Sequence, residues 1–147
     1  MNNYEYYHQH PINKGLHFVC IPMIVLTSMN FLSEIKIYKF KKQMRDYLTK
    51  KYLTLNDIIK LLYHLYYFSN STYAYFVMYF YFEFLELISK EWKSRDFRWR
   101  KNSLAIFVMS WLFQFLGHYI EGRRPALTNS LTTAFTEAPL FSIMYLF

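Results

Sequence analysis

The chain has 147 residues, enough for one domain, and its 54% hydrophobic and 22% aromatic content lies far above that of an ordinary soluble protein. Its 17 Lys and Arg against 10 Asp and Glu leave a formal charge of +7, and a single cysteine excludes an internal disulfide. The mean hydropathy of -0.01 is low for a membrane protein because 15 tyrosines depress it, yet tyrosine rings sit well at a bilayer interface.

The first residues, MNNYEYYHQHPIN, are polar and have no basic region leading into a short apolar run, so they do not read as a signal peptide. Pro11 suits the first turn of a helix. From there His10, Asn13, His17 and Cys20 share one face at spacings of three, four and three, with His8 in the lead-in. Residues 15–33 are the first predicted membrane helix, in which Cys20 acts as a small hydrophobe. The next stretch, IKIYKFKKQMRDYLTKK (residues 35–51), carries seven Lys and Arg and reads as a basic loop.

Residues 55–70 and 72–89 form a predicted helical hairpin turning at Ser69, Asn70 and Ser71. Its first arm holds Asp57, Lys60 and His64, so it also suits an amphipathic helix lying along the interface. His64 reads as a packed or interfacial side chain, and Glu83 and Glu86 on the second arm can bond within the bundle or reach the interface. A second basic stretch, KEWKSRDFRWRK (residues 90–101), carries six Lys and Arg. Basic loops stay on the cytoplasmic side, so two of them imply an even number of crossings between, which the hairpin supplies. Attraction to anionic headgroups accounts for this charge without nucleic acid as a partner.

Residues 104–120 are the last long apolar segment, and they carry Gln114 and His118 into Glu121 at spacings of four and three, with Ser110 one turn earlier. Ionisable groups at membrane depth are costly and point into a protein interior or wet cavity, so the stripe is a candidate site; it equally suits a helix end reaching water. Arg123 and Arg124 follow it and read either as interfacial anchors or as carboxylate-binding groups. After Pro125 a further helix or re-entrant piece is expected, interrupted by Pro139. With four crossings, the start of the first and the end of the last share one side of the membrane, which gathers the histidines there. The predicted fold class is therefore all-α, an integral membrane helical bundle of about four transmembrane helices plus that C-terminal piece. With three glycines and no linker or repeat, residues 1–147 are expected to form a single membrane-embedded domain.

An imidazole cluster with a carboxylate suits Fe(II), and zinc or copper accept the same ligands. Glycine-rich phosphate loops, nucleophile elbows and dinucleotide fingerprints are absent from the sequence.

The two motifs together resemble the family of small membrane 2-hydroxy-fatty-acid dioxygenases of phytosphingosine breakdown to odd-numbered fatty acids. That family pairs an N-terminal Tyr-His…Pro-x-Asn-x3-His…Pro pattern, matched by Tyr7, His8, Pro11, Asn13, His17 and Pro22, with a later pattern matched by Trp111, Gln114, Phe115, Gly117, His118, Glu121, Arg124, Pro125, Ala126 and Leu127. Ala138 and Pro139 match a final Ala-Pro. The resemblance implies an enzyme of the endoplasmic reticulum membrane, multi-pass, that uses Fe2+ and O2 to shorten a 2-hydroxy fatty acid by one carbon. It implies His8, His17 and His118 as metal ligands or their support, Glu121, Gln114 and Asn13 as catalytic residues, and Arg123 and Arg124 as binders of the substrate carboxylate. One departure stands out: the family carries an acidic residue shortly after Ala-Pro, whereas residues 142–147 have none and Tyr145 stands near that place. Composition alone also suits a non-catalytic membrane protein that binds lipid or a partner through its basic loops.

Overall fold

The computed structural model describes residues 10–41, 51–122 and 131–144, and among these it is mostly helical. In chain order the elements are α1 (Pro11–Leu32), β1 (Lys36–Lys39), β2 (Tyr52–Thr54), α2 (Leu55–Asn70), α3 (Thr72–Arg95), α4 (Trp99–Glu121) and α5 (Leu131–Met144). They group into two compact units: residues 28–100, and the flanking residues 1–27 with 101–147.

In the unit of residues 28–100, β1 and β2 pair antiparallel, Tyr38 opposite Leu53 and Lys39 opposite Tyr52. This corrects the expectation of plain loop at residues 36–39: Ile35, Ile37, Tyr38 and Phe40 among lysines carry strand propensity that hydropathy alone does not reveal. The pair runs directly into α2 through a capping box, in which the Thr54 hydroxyl accepts from Asp57 N–H at 3.4 Å and Asp57 Oδ2 accepts from Thr54 N–H at 2.9 Å. Asp57 is thus part of the N-terminal cap of α2.

The hairpin turn falls where the sequence places it. Ser71 N–H closes α2 on the Tyr67 carbonyl at 2.9 Å, and its hydroxyl accepts from Ala74 N–H to start α3. The two helices then run antiparallel: Phe68 meets Tyr75, His64 meets Tyr75, Tyr79 and Phe82, and Lys60 meets Glu83 and Glu86. α3 continues to Arg95 and α4 begins at Trp99, so the second basic stretch is helix except at residues 96–98; Asp96 N–H closes α3 and the Asp96 carboxylate accepts from Arg98 N–H. At the same end, Lys93 donates to Ser33 at 2.5 Å, Arg100 pairs with Glu34 at 3.1 Å, and Phe31 packs on Trp99.

In the other unit, α4 ends directly after Glu121 because Gly122 takes a left-handed φ of 71°, the usual stop for a helix. α5 forms as a helix through Pro139, which does not interrupt it.

Polar side chains take many of the buried positions, beside apolar ones such as Leu26, Met29, Met78, Phe82 and Leu85, while large apolar side chains are exposed. Between Leu104 and Glu121 the buried positions of α4 are Ser110, Gln114, Gly117 and His118, while Leu112, Phe113, Phe115 and Tyr119 are exposed. α1 likewise buries Asn13, His17, Thr27 and Asn30 and exposes Ile12, Val19 and Met23. α2 buries Asn56 and Lys60 and exposes Leu61, Leu62 and Leu65; α3 buries Glu86 and Ser89 and exposes Phe80, Phe84 and Leu87. α1 and α4 are long and apolar enough to cross a membrane. Four crossings go beyond this: α2, at 16 residues, rises about 24 Å against a hydrocarbon core of about 30 Å.

Replacing Thr54 by Ala removes the cap of α2. It should lower stability by about 1 kcal/mol, read as a lower unfolding midpoint in detergent, with Ser in its place restoring most of the loss.

Candidate functional site

The site begins where α1 begins. His10 precedes the helix, its carbonyl accepting from Lys14 N–H at 3.0 Å and its Nδ1 accepting from Ile12 N–H at 3.3 Å, so its imidazole serves as a helix cap. That use separates His10 from the face it shares by spacing with Asn13 and His17. Glu121, the last residue of α4, reaches the same helix start: Oε1 accepts from His10 N–H at 3.2 Å, and Oε2 accepts a short hydrogen bond from Asn13 Nδ2. A carboxylate is well placed here, since exposed N–H groups make a helix N-terminus the positive end of its dipole.

Gly117 permits this clasp. A Cβ on Gly117 would overlap Asn13 Oδ1 and crowd Leu16, so only glycine lets α1 approach α4 closely enough for Asn13 to reach Glu121. Asn13 is fully buried, and its Oδ1, lying against Gly117, meets no hydrogen-bond donor among the described residues.

One turn further along α1, His17 Nδ1 lies 3.0 Å from the Asn13 carbonyl. A carbonyl can only accept, so Nδ1 carries the hydrogen, and in the neutral ring the lone pair stands on Nε2. The His17 ring meets that of His118 edge-on, centroids 5.0 Å apart and planes at 90°, with both residues nearly fully buried. Gln114 occupies the same buried face of α4 one turn before His118, and Ser110 one turn before that.

The structure therefore brings Asn13, His17, His118 and Glu121 into one cluster, with Gln114 beside it on the same face of α4. Cys20 is buried one turn beyond His17 as a small apolar residue. His64 belongs to the other unit and packs among Tyr75, Tyr79 and Phe82, as its aromatic surroundings in sequence suggest. His8, Arg123 and Arg124 lie outside the described residues. Gly117 was assigned no role from the sequence; its place beside His118 in the motif is the signal that could have found it.

Among the described residues, no three His, Cys, Asp or Glu side chains converge as a complete ligand set. The described donors nonetheless suit a first-row transition metal. His17 has its proton fixed on Nδ1 by a backbone carbonyl, as metal-ligating imidazoles commonly do, and His118 touches its ring. Glu121 has one oxygen engaged by the helix start and the other by Asn13, which suits orienting this wall of the site from behind.

Gly117→Ala should push Asn13 off Glu121 and cost about 1–3 kcal/mol through overpacking. Adding Asn13→Ala should recover part of that loss, a coupling that a double-mutant cycle on thermal midpoints measures.

The family described as 2-hydroxy-palmitic acid dioxygenase Mpo1-like matches residues 1–147. The chain is 30% identical over 145 residues to the 2-hydroxy-palmitic acid dioxygenase MPO1 of Saccharomyces cerevisiae, covering 98% of this chain and 75% of that one. No solved structure matches it. With a match over its full length and this relative across nearly all of it, the chain belongs to the 2-hydroxy-palmitic acid dioxygenase Mpo1-like family.

Proposed function

We propose that the chain is an iron(II)-dependent dioxygenase that converts a 2-hydroxy fatty acid and O2 to the fatty acid one carbon shorter. Family membership supports the substrate class at a coarse level. The observation that carries the reading to particular residues is the His17 to Asn13 hydrogen bond beside the His17 and His118 ring contact: two buried imidazoles, one with its tautomer fixed for ligation. The atoms balance without a further reductant. A 2-hydroxy acid and one O2 yield the shortened acid, carbon dioxide and one water, so both reducing electron pairs come from the substrate itself.

In this reading His17 and His118, with His8, would hold Fe2+, which would supply redox chemistry for the reaction of O2 with the 2-hydroxy acid. Asn13 fixes the His17 ring through its carbonyl, and its side chain ties that turn of α1 to Glu121. Glu121 is a positioning residue, holding the start of α1 against the end of α4. Arg123 and Arg124 hold the substrate carboxylate through paired hydrogen bonds. The exposed apolar faces of the helices suit the acyl chain's own solvent, so a multi-pass position in the endoplasmic reticulum membrane belongs to the same proposal. There the α2 and α3 hairpin would supply the crossings beyond α1 and α4.

His118→Ala and His17→Ala should each abolish iron loading and oxygen uptake with 2-hydroxypalmitate while leaving membrane insertion intact, since one imidazole contributes little to inserting such apolar helices. Glu121→Gln should keep its iron and lose roughly 10- to 100-fold in turnover, because the amide turns a donor toward His10 N–H or Asn13 Nδ2. A His118→Ala protein that retained both iron and turnover would remove the site from this cluster.

A further inference from the structure

Two polar atoms in the unit of the histidine cluster are buried without a hydrogen-bond partner among the described residues and have no other interaction to account for them: Asn13 Oδ1 and Gln114 Nε2. The first is explained by packing, since Gly117 lies so close that a Cβ there would overlap it. Gln114 has no such explanation. Its side chain is 5% exposed on the inward face of α4, where leucine or methionine would fill the same space without a lost hydrogen bond.

We infer that Gln114 binds the 2-hydroxyl group of the substrate and so sets the selectivity for 2-hydroxy acids over unsubstituted fatty acids; this rests on the dioxygenase reading above. The choice of the hydroxyl follows from hydrogen-bond chemistry. A primary amide both donates and accepts, and an alcohol does the same, whereas a carboxylate only accepts and is better matched by a guanidinium. The placement agrees with it. Residues four apart on a helix have Cβ atoms about 5–6 Å from each other, so a head group the size of a 2-hydroxy carboxylate can meet Gln114 and the His118 region at once. The cost of the unsatisfied amide in the ligand-free protein is then the source of the discrimination. A site built to bond a hydroxyl rejects an analogue lacking it, because the buried polar group is left unpaired.

The test is equilibrium binding of 2-hydroxypalmitate and of palmitate to the full chain in nanodiscs, with oxygen excluded so that no turnover intervenes, and oxygen uptake by the iron-loaded wild type with 2-hydroxypalmitate is measured separately in air. Wild type, Gln114→Leu and Gln114→Met are compared, and the thermal midpoint of each ligand-free protein is recorded. Wild type should prefer the 2-hydroxy acid by roughly tenfold or more. Both variants should bind the two acids within about twofold of each other and unfold at or above the wild-type midpoint, since each replaces an unpaired amide with apolar volume. Variants that kept the preference, or that unfolded well below wild type, would show the amide to be structural and overturn the inference. A wild type that bound and oxidised 2-hydroxypalmitate yet bound palmitate equally well would overturn it too, while leaving the dioxygenase reading intact. A wild type that neither bound nor oxidised 2-hydroxypalmitate would instead overturn the dioxygenase reading, and this inference with it.

Discussion

Polar side chains share the interior of these helices with apolar ones such as Leu26, Met29, Met78 and Phe82, while many large apolar side chains point outward, and this arrangement constrains both units. A polar group turned inward has to find its partner among its neighbours, because the outward surface is Leu, Phe and Tyr. Most of the named hydrogen bonds are answers to that requirement. Asn30 accepts from Ser89 at 2.5 Å between α1 and α3, Ser142 Oγ bonds the Pro139 carbonyl within α5, and Thr27 bonds back to the Met23 carbonyl within α1. The bonds within α1 and α5 satisfy their hydroxyls locally, whereas the bond between Asn30 and Ser89 joins two helices and fixes their mutual rotation in a way that interchangeable apolar contacts cannot.

At the histidine cluster the same requirement produces a chain of dependence. Glu121 needs donors, and the start of α1 supplies them from His10 N–H and Asn13 Nδ2. Asn13 is thereby held in place, and its carbonyl decides which nitrogen of His17 carries the proton. The rotation of α1 against α4 and the tautomer of a buried imidazole are therefore set together, and Gly117 is the point at which the backbone makes room for both. Such coupling explains why the motif strings Gly, His and Glu within five residues: position 117 admits Asn13, position 118 faces His17, and position 121 clasps the helix that carries both.

Much of this was legible in the sequence. The helices fall within a few residues of the apolar segments, α2 covers residues 55–70 as predicted, and the turn lies at Ser71, because apolar runs broken by Ser and Asn are local signals. The meeting of His17 with His118 was legible too, but only by way of topology and the resemblance of two distant motifs. Less legible were features that depend on another element. The β1 and β2 pairing joins residues on opposite sides of a lysine-rich stretch whose charge masks its alternation. The diversion of His10 into a helix cap could not be read from spacing, since spacing assigns a face and not a hydrogen-bond partner. The role of Gly117 needs the position of Asn13, which is more than a hundred residues away in sequence.

Lys60 illustrates how a group that argues against burial in the sequence can end up satisfied within the fold. It lies on α2 between Leu61 and Leu62 on one side and Asn56 on the other, and with Asp57 and His64 it made residues 55–70 suit an amphipathic helix along the interface as well as a hairpin arm. The antiparallel hairpin sets it opposite Glu83 and Glu86, whose spacing of three places both on one face of α3, and Lys90 pairs with the second oxygen of Glu86 at 2.7 Å. Two positive and two negative charges then cancel. Removing Lys60 or Glu86, the two buried members, would leave an uncompensated charge in poorly solvated surroundings, which is why a buried pair is far costlier to break than it is stabilising to form, whereas Lys90 and Glu83 reach solvent. The network thus does less to hold α2 and α3 together than to forbid other registers between them. A slide of one helical turn would leave only one of the two carboxylates opposite Lys60, with Tyr79 or Lys90 in place of the other, and the aromatic contacts of His64 and Tyr63 with Phe82 would be lost in the same step.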